Sequence, residues 1–379
     1  MKLELIRKDF LKSWQLAERF TAAKSSADYL QGVFITAADD GQVTLEATDL
    51  KISVKCKAHG VNVVEAGKAV ASIAILGDML RKAEADNLML DINSERGFLN
   101  AGKSKTKFAV IPLEKFPNIP KSSDGEKNCT IKADDLRKLI NEGGSASSIP
   151  TDFPKYYGTC LFRTQDGQVK IVATDGKRLS LSQKACENIE NEIELLLPAP
   201  ALKNLARIFT GDKEVQISAN DSTIWFSFDD VEFSIRLVEA LFPKYENILN
   251  NVIETSMKIK TEDLMPVLER ISIISRTQPA NIMTVSLNPN GEMKILAQSP
   301  EAGATIEELN AEISGNSMLI GFNVGYFMDG LKALGQGEIN IEFSGVENQA
   351  RMKRGDFLYM LMPARLSSDD IAYYQSNIQ

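Results

Sequence analysis

The residue types that most often carry out chemistry are few and scattered in this 379-residue chain. Its one histidine, His59, lies in the loop-like sequence KAHGVN and is expected to be a solvated surface residue. The chain contains neither a GxxxxGKS/T nor a GxGxxG phosphate loop. Adjacent acids that could bind a metal or act as acid and base occur at Asp39 with Asp40, Asp134 with Asp135, Asp229 with Asp230, and Asp369 with Asp370. Most of these pairs fall in predicted turns or at a helix start, where acids are favoured for local reasons, so we expect no catalytic residue, metal or cofactor.

The cysteines and the overall composition are those of an ordinary folded protein. Cys56, Cys129, Cys160 and Cys186 have irregular spacing and no CxxC pair. This pattern argues against a zinc site or a disulfide framework and predicts buried or half-buried thiols. Hydrophobic residues make up 44% of the chain and charged residues 25%, as in folded soluble proteins. The N-terminal sequence MKLELIRKDFLKSW has no apolar core and no apolar run approaches the length of a membrane span, so a cytoplasmic location is expected.

The chain repeats itself at a spacing of about 126 residues. The segment LEATDLKISV recurs as IVATDGKRLSL, which places Thr48 and Thr174 126 residues apart. The later segments PLEKFPNIP and VEALFPKYENIL repeat with the same spacing, and a third copy begins at KTEDLMPVLERI. A period of this length indicates tandem domains rather than a solenoid of short units. We therefore predict three modules, at residues 1–122, 123–253 and 254–379.

Each module is predicted to contain two helices and several antiparallel strands. Helical spacing of apolar residues predicts helices near residues 7–24, 73–87, 133–141, 200–209, 262–275 and 323–334. Alternating segments such as QVTLEATDLKISVKC, LMLDI and TKFAVIP predict strands. The expected fold is an α+β module with two helices on one face of an antiparallel sheet, three times over.

Positive charge is concentrated on the predicted helices although the chain as a whole carries a net charge of −8. With flanking residues included, at 7–24, 73–87, 131–141, 200–213, 260–276 and 323–334, the helical segments sum to +5, which leaves −13 for the remainder. In the first helix Lys8, Lys12, Gln15 and Arg19 share one face, at spacings of i, i+4, i+7 and i+11. Such a face is commonly just solvated. Its recurrence on helices of an otherwise acidic chain also favours a surface that faces phosphates.

Four longer strings carry a resemblance to a known family. ATDGKRLS, LFPKYENIL, GFNVGYFMDGLKAL and FLYMLMPARL, in this order and spacing, closely resemble the β subunits of bacterial DNA polymerase III, the sliding clamps. The resemblance covers nearly the whole chain. It implies the DNA clamp fold, closed as a head-to-tail homodimeric ring whose helices surround duplex DNA without sequence specificity. It also implies a non-catalytic processivity factor whose partners are the replicative DNA polymerase α subunit, the clamp loader and other proteins with a clamp-binding motif, with no membrane partner.

The expected DNA contacts come from two sources. The resemblance implies contacts at Lys24, Lys155 and Tyr156. Helical periodicity adds a set of basic residues: Lys8, Lys12, Arg19, Arg81, Lys82, Arg137, Lys138, Lys203 and Arg207. Contacts of this kind are numerous, individually weak and indifferent to base sequence, as sliding requires.

The resemblance further implies a pocket between the second and third modules for a glutamine-led peptide motif with an aliphatic or aromatic end. Its expected residues are Tyr157, Thr174, Gly176, Lys177, Arg178, Leu179, Pro243, Asn247, Ile248, Met360, Met362, Pro363, Ala364, Arg365 and Leu366. Adaptable methionine and aliphatic walls beside a few polar groups suit several partners. Three positions depart from the family pattern: Lys177 stands where histidine is common, Asn247 where a basic residue can occur, and Ala364 where methionine is common.

The same resemblance implies the dimer interface. The edge strand around Phe108 and Val110 is expected to meet Ile273 and Ile274 of the other subunit. Basic residues of the first module could face acids of the third, namely Lys103, Lys105 and Lys107 against Glu301, Glu307 and Glu308.

The tail SSDDIAYYQSNIQ, residues 367–379, extends beyond the point where relatives often end. One interpretation is a frayed terminus. The other is that its apolar residues, Ile371, Tyr373, Tyr374 and Ile378, pack beside the pocket and restrict access.

Two functions of other classes remain as alternatives. A metal-dependent nuclease would need acids that converge on strand ends, whereas the acids here are dispersed. A monomeric scaffold of three repeated domains would share the repeat but would not close around DNA, so the native mass and a comparison of circular with linear DNA distinguish it.

Overall fold

The computed structural model describes residues 1–22, 24–150, 153–278 and 280–378. The first module contains β1 (Lys2–Ile6), α1 (Arg7–Glu18), β2 (Gly32–Ala37), β3 (Val43–Thr48), β4 (Ile52–Lys57), β5 (Val61–Glu65), β6 (Gly67–Ser72), α2 (Asp78–Lys82), β7 (Asn87–Ile92), β8 (Arg96–Ala101) and β9 (Ser104–Ala109). The second contains β10 (Glu126–Lys132), α3 (Ala133–Gly143), β11 (Thr159–Gln165), β12 (Gln168–Thr174), β13 (Arg178–Ala185), β14 (Ile193–Pro198), α4 (Ala199–Ala206), β15 (Glu214–Ala219), β16 (Thr223–Phe228) and β17 (Val231–Arg236). The third contains β18 (Thr255–Lys260), α5 (Thr261–Ser275), β19 (Ile282–Leu287), β20 (Glu292–Ser299), β21 (Gly303–Asn310), β22 (Glu312–Gly315), β23 (Met318–Asn323), α6 (Val324–Leu334), β24 (Glu338–Phe343), β25 (Ala350–Arg354) and β26 (Phe357–Leu361), and α7 (Ser368–Ile378) follows.

The strands form antiparallel sheets, as the alternating pattern predicted. In the described residues the strand orders are β5-β1-β7-β8-β9 in sheet A, β10-β15-β16-β17-β4-β3-β2-β6 in sheet B, β14-β11-β12-β13-β26-β25-β24-β18-β22 in sheet C and β21-β20-β19-β23 in sheet D. Sheet B joins strands of the first and second modules through the β17–β4 pair. Sheet C joins the second and third modules through the β13–β26 pair.

These shared sheets change how the chain divides into compact units. Unit 1 comprises residues 1–132 and 212–237, and unit 2 comprises residues 133–211 and 238–379. The second module therefore contributes to both units, because its strands extend the sheets of both neighbours. The predicted module boundaries, after residues 122 and 253, stay predictions.

The repeat seen in the sequence is present in the hydrogen bonds of two turns. After β3, the Thr48 hydroxyl donates to the carbonyl of Ile52 (3.1 Å) and accepts from the amide of Leu50 (2.9 Å). After β12, the Thr174 hydroxyl donates to the carbonyl of Arg178 (2.7 Å) and accepts from the amide of Gly176 (3.1 Å). Both turns therefore close hairpins, β3 with β4 and β12 with β13.

The helices pack as expected, with two differences in length. In α1, which ends at Glu18 rather than near residue 24, Phe10, Trp14 and Ala17 are fully buried. The second helix was predicted to reach residue 87, but a π-helical turn (Ile73–Gly77) leads into α2, which ends at Lys82. The reason is that the next residues must enter β7, which pairs with β1. No helix in the described part of the chain is long and apolar enough to cross a membrane.

Candidate functional site

The β13–β26 pair brings predicted pocket residues of the second and third modules together. In this register Leu179 lies opposite Met360, and both side chains are buried. Just beyond the end of β26, the Met362 amide donates to the carbonyl of Lys177 (2.8 Å). The side chains of Met362 and Ile248 are each 43% exposed. The junction thus offers a buried apolar floor with exposed apolar residues at its rim.

Leu179 and Met360 belong to a larger apolar cluster on sheet C. Its buried members are Leu161, Val172, Leu179, Leu181, Leu196, Tyr245 and Met360. Phe242 packs against this cluster and lies edge-on to Tyr245, with ring centroids 6.2 Å apart. The neighbouring Pro243 and Asn247 are exposed. Sequence reasoning missed Leu241, which is 91% exposed beside this cluster although the repeated segment LFPKYENIL contains it.

The turn between β12 and β13 supplies predicted polar pocket residues that differ in exposure. Gly176 has a φ of 82°, and a Cβ there would lie 2.5 Å from the Tyr157 hydroxyl, so this close approach requires glycine. The Thr174 side chain is buried and its hydroxyl bonds within the turn. Thr174 therefore helps to form the turn, and its contact with a ligand stays a prediction. Lys177 is exposed at the tip and remains available.

Arg178 connects several elements around the predicted pocket, and its role as a pocket residue stays a prediction. Its side chain is only 8% exposed and donates to Asp175 Oδ2 (2.9 Å), Asp329 Oδ2 (2.7 Å) and the Tyr359 hydroxyl (3.3 Å). Its guanidinium also lies 4.2 Å from the ring centroid of Tyr326. Burial alone would lower the pKa of Arg178, but the interactions with Tyr359 and Asp329 outweigh burial and raise it. Arg178 thus links β13 to α6 and β26. No local pattern indicates the contacts with Asp329 and Tyr359, because these partners lie 151 and 181 residues away.

The segment after β26 lies against sheet D. The Ala364 amide donates to the carbonyl of Gly321 on β23 (2.8 Å). Leu366 is partly buried, and its Cδ2 would lie 2.7 Å from a Cβ added at Gly321. Pro363 is partly exposed and Arg365 is exposed. The predicted pocket residues of this segment therefore occupy one short stretch of chain with a fixed backbone.

The tail differs from both sequence interpretations. It is not frayed, because residues 368–378 form α7. Asp370 Oδ1 accepts from Gln298 Nε2 (3.0 Å), and the Tyr374 hydroxyl bonds the Ser286 hydroxyl (2.8 Å). These contacts place α7 on β19 and β20 of sheet D. The side chain of Ile378 and all of Gln379 lie outside the described residues.

A groove of about 830 Å³ lies beside the predicted pocket on sheet C. It shares Leu181, Tyr245 and Leu358 with the apolar cluster or its surroundings, but its other walls are charged. Arg163, which lines it, donates to Glu194 Oε2 (2.7 Å) and Glu246 Oε1 (2.8 Å). The groove does not include Leu179, Met360 or Met362. The candidate peptide site at Leu179, Met360 and Met362 stays a prediction, supported by the buried apolar pair and the exposed Met362 beside it.

The predicted DNA-facing residues of unit 1 are exposed, with one difference. Lys8, Lys12 and Arg19 lie on the solvent side of α1, and Lys24 follows in the next loop. Lys12 pairs with Asp9 (3.2 Å). Lys82 is exposed at the end of α2. Arg81, in contrast, donates to Glu18 (2.7 Å) and Asp78 (2.6 Å), so two acids already offset its charge.

The predicted DNA-contacting residues of unit 2 also differ in exposure and in their ion pairs. Lys138 and Arg207 are exposed on α3 and just after α4, and Lys155 is exposed in a short turn (Lys155–Gly158). Arg137 pairs with Asp134 (2.8 Å), and Lys138 approaches Glu142 (3.8 Å). Two others form contacts inside the unit. Lys203 Nζ donates to the Ser147 hydroxyl (2.9 Å), and the Tyr156 ring stacks edge-on against Tyr157 at 4.9 Å.

The residues predicted at the dimer interface lie on β9, at α5 and near β21. Lys103, Lys105 and Lys107 are exposed, whereas Phe108, whose partner contact stays a prediction, is buried in unit 1. The reason is alternation along β9, which directs its ring over Gly97. Val110 is partly exposed after β9.

On the third module, Ile273 is 53% exposed, whereas Ile274 packs against the module's own core. Glu307 accepts two hydrogen bonds from Arg270 (2.8 Å each), which hold the pKa of Glu307 below its usual range. Glu308 approaches Lys294 (3.5 Å). Glu301 is exposed, and no ion pair involves it in the described ranges.

Titratable groups elsewhere show the pattern of a packed interior. Burial raises the pKa of the Cys56 thiol and of the Cys160 thiol to about 12 each. Cys129 and Cys186 are buried as well. Among the residues that the structure describes, no group of three or more His, Cys, Asp or Glu side chains is arranged to hold a metal ion.

Comparison with known proteins places every module in one family. Residues 1–120, 130–244 and 246–364 match, respectively, the N-terminal, central and C-terminal domain models of the DNA polymerase III beta subunit. The beta sliding clamp of Pseudomonas aeruginosa is 26% identical over 97% of this chain and 100% of its own length. The beta sliding clamp of Streptococcus pneumoniae is 25% identical over 94% of this chain and 97% of its own length.

Solved structures agree with this placement. The sliding clamp of Bacillus subtilis aligns with a TM-score of 0.91 at 20% identity, over 97% of this chain and 100% of that chain. The beta subunit of Pseudomonas aeruginosa aligns with a TM-score of 0.90 at 25% identity, over 96% and 100%. With all three modules matched in order, the chain belongs to the DNA polymerase III beta subunit family.

Proposed function

We propose that this protein acts as a sliding clamp by closing as a head-to-tail homodimer around duplex DNA and presenting one peptide pocket per subunit to its partners. As a member of the DNA polymerase III beta subunit family, it is a non-catalytic processivity factor whose partners are DNA and the polymerase. The proposal concerns how this particular chain performs that role. It names the surfaces that close the ring, contact DNA and capture partners.

Two strand edges of opposite charge carry the proposal. In the described part of the chain, β9 pairs only with β8, and β21 pairs only with β20. The free edge of β9 bears the exposed Lys105 and Lys107, whereas β21 bears the exposed Glu308 and follows Glu301. An unpaired edge is a site for pairing with another chain. Opposite charges on the two edges favour β9 of one subunit beside β21 of the next, and two such contacts close a ring.

Ile273 supports the same arrangement. It is a large apolar side chain, 53% exposed on α5, and α5 packs against β20 and β21. Burying it against a partner would remove apolar surface from water at the same edge that carries the acids. Ile274 contributes less, because it already packs in its own module.

Exposed lysines and arginines of α1 and α4 provide the proposed DNA contacts. Lys8, Lys12 and Arg19 share one face, and Arg207 lies exposed after α4. Point charges that meet phosphates without reading bases allow sliding, while the closed ring supplies retention. We rank Arg81 and Arg137 below these residues, because acids of the same helix or its neighbour offset them.

The peptide pocket is proposed at the second–third module junction. Leu179 and Met360 would form its floor, Met362 and Ile248 its rim, and Lys177 a polar contact at the turn. An extended peptide with an apolar end suits such a site, since the apolar residue can enter the floor while its backbone meets polar groups. We propose that the polymerase α subunit and the clamp loader contain such peptides.

Ring closure is tested by the native mass of the protein and by its retention on circular and linear DNA. Native mass spectrometry of the full chain should give a dimer of about twice 41.8 kDa. Protein loaded onto nicked circular DNA should stay bound through gel filtration and be lost once the circle is cut. A monomer at micromolar concentration that is retained equally on circular and linear DNA would instead support the scaffold function.

The pocket is tested separately with a synthetic peptide from the polymerase α subunit. Met362→Ala should weaken peptide binding and leave the dimer mass unchanged, because Met362 lies at the rim of the proposed pocket and belongs to neither of the proposed interface strands. The control is Val64→Ala, an exposed apolar side chain (51%) on β5 in unit 1. Equal affinities of the Met362 and Val64 variants would place the site elsewhere.

A further inference from the structure

The chain crosses the outer face of sheet D after it leaves the pocket. On β19 and β20, Val285 and Ile295 belong to the module core, so their neighbours Thr284 and Leu296 face the other way. The register places Gly321, Thr284 and Leu296 in one row across β23, β19 and β20. Thr284 and Leu296 are nevertheless only 5% and 3% exposed. Something on the outer face must therefore cover them.

The first cover is the pocket segment itself. Residues 364–366 lie on Gly321, where the Ala364 amide donates to the Gly321 carbonyl (2.8 Å). A Cβ at Gly321 would lie 2.5 Å from the Ala364 carbonyl oxygen and 2.7 Å from Leu366 Cδ2. The segment thus lies so close to the backbone of residue 321 that only glycine fits at this position.

The second cover is α7, which begins at once with a side-chain cap. The Ser367 amide and hydroxyl donate to Asp370 Oδ2 (3.1 and 2.6 Å), and the Asp370 amide donates back to the Ser367 hydroxyl (3.1 Å). This reciprocal pattern fixes a helix start. Asp370 is also tied to sheet D through Gln298 (3.0 Å). Burial alone would raise the pKa of Asp370, but the bonds from Ser367 and Gln298 outweigh burial and lower it, so the carboxylate stays charged.

A second tie lies one turn further along the helix. Tyr374 is four residues after Asp370 and so shares its face of α7. Its hydroxyl bonds the Ser286 hydroxyl on β19 (2.8 Å). Asp370 and Tyr374 thus fasten α7 to β20 and β19, next to the row that contains Leu296 and Thr284. The helix accounts for the burial of those two outward-facing side chains.

We propose that α7 is an anchor that holds the pocket segment, residues 362–366, in its binding conformation. The inference rests on the proposed peptide pocket. The segment is fixed at one end by β26 and at the other by α7, with Gly321 as its seat between them. A segment held in the bound conformation gives tighter binding, because less ordering is left for the moment of binding. Loss of the tail should therefore weaken partner binding rather than unmask the pocket.

The magnitude follows from the fraction of molecules whose segment is seated. If breaking both ties lowers that fraction to about one-tenth, the apparent affinity falls about tenfold. Asp370→Asn combined with Tyr374→Phe breaks the ties while keeping side-chain size. The matched control is Asp369→Asn, which makes the same charge change at an exposed neighbour for which the described part of the chain shows no ion pair.

A second variant disrupts the contact between the pocket segment and Gly321 without changing the tail. Gly321→Ala leaves the tail unchanged but adds the Cβ that clashes with Ala364 and Leu366. Its backbone conformation does not need glycine, since its φ is not positive, so the substitution acts through the clash. Both the double variant and Gly321→Ala should release the same segment.

The test uses the full chain, a synthetic peptide from the polymerase α subunit, calorimetry for affinity and hydrogen exchange for the Ala364 amide. We expect the double variant and Gly321→Ala to weaken peptide binding about tenfold and to speed exchange at Ala364, and Asp369→Asn to change neither. Tighter or unchanged peptide binding in the double variant overturns the anchor, as does unchanged exchange at Ala364. Wild-type protein that fails to bind the peptide, or binding insensitive to Met362→Ala, overturns the proposed pocket and the anchor with it.

Discussion

Replacing Arg178 should loosen the junction that forms the pocket. Arg178 joins Asp175, Asp329 and Tyr359, and its side chain is 8% exposed. Arg178→Met keeps much of the volume but removes the charge and all of these donors. The Asp175 carboxylate, only 7% exposed, would lose its guanidinium and keep the amides of Lys177 and Arg178.

The expected size follows from the environment of each partner. Breaking a fully buried ion pair on one side costs about 3–5 kcal/mol. Asp329 is 46% exposed, so water can replace its bond, and Tyr359 keeps its bond to the Tyr326 carbonyl (2.8 Å). We therefore expect a loss of about 2–3 kcal/mol, closer to the value of one or two hydrogen bonds to a buried charged group.

Hydrogen exchange at the Met362 amide measures this loss directly, because that amide bonds the carbonyl of Lys177 across the junction. Where exchange reports the opening equilibrium, 2–3 kcal/mol corresponds to exchange about 30- to 150-fold faster. Tryptophan fluorescence is unsuitable, since Trp14 and Trp225 both lie in unit 1.

Arg163→Met is the matched control. Arg163 also bonds two carboxylates in unit 2, but Glu194 and Glu246 are 54% and 48% exposed. Exposed pairs contribute about 0–1 kcal/mol, so this variant should barely change exchange at Met362. If the Arg178 variant exchanged no faster than the Arg163 variant, the assignment of Arg178 as the link between the modules would be refuted.

Three further expectations concern the ring, the DNA contacts and the buried thiols. Ile273→Asp should give a folded monomer by native mass, whereas Val346→Asp should remain dimeric; a dimeric Ile273 variant at micromolar concentration would argue against the proposed edge. Lys8→Ala with Lys12→Ala should reduce the slope of log affinity for DNA against log salt by about two, and an unchanged slope would remove α1 from the DNA surface. Because burial raises the pKa of Cys160 from 9.0 to about 12, the folded state binds more protons than the unfolded state between these values, so stability should fall by up to about 1.4 kcal/mol per pH unit there. Cys160→Ala should make that fall shallower in urea titrations at pH 9 to 11, and an identical pH dependence would contradict the burial effect.

Local patterns predicted the parts of the fold that depend on neighbours in sequence. The apolar stripe of α1 is buried, and the Thr-Asp repeat does form two equivalent hairpin turns, because each depends on residues only a few positions apart. The shared sheets were not predicted. The β13–β26 pair joins residues about 180 positions apart, and the periodicity within a strand does not indicate which other strand it pairs with. The hydrogen-bond network of Arg178 was not predicted for the same reason, since three of its contacts come from α6 and β26.

The structure of the tail could not be predicted for a different reason. The polar start of the tail was compatible with a frayed end, because the residues SSDD are typical of solvent-exposed segments. The same residues form the cap of α7, and the tie to Gln298 gives Asp370 a partner that the tail sequence does not contain. Composition could not distinguish these outcomes, since a short helix is stabilised mainly by what it packs against.

The repeat also explains why one junction rather than the other suits an apolar peptide. In unit 1 the Arg236 amide donates to the carbonyl of Lys51 (2.8 Å), just as the Met362 amide donates to that of Lys177 in unit 2. Arg236 and Met362 are 126 positions apart, as are Lys51 and Lys177, so the two backbones are equivalent.

The side chains on these equivalent backbones differ in kind. Ser53 and Ser234 stand in unit 1 where Leu179 and Met360 form the apolar floor in unit 2. The cavity at the unit 1 position, about 360 Å³, is lined by serine and threonine hydroxyls, Lys51 and Arg236, and also by Leu50 and residues 117–120. Hydroxyls and charges that an apolar peptide end covered there would lose water without gaining partners. The module therefore supplies the same turn and hydrogen bond twice, and the proposed peptide site at the second–third junction rests on the apolar pair Leu179 and Met360, which unit 1 replaces with two serines.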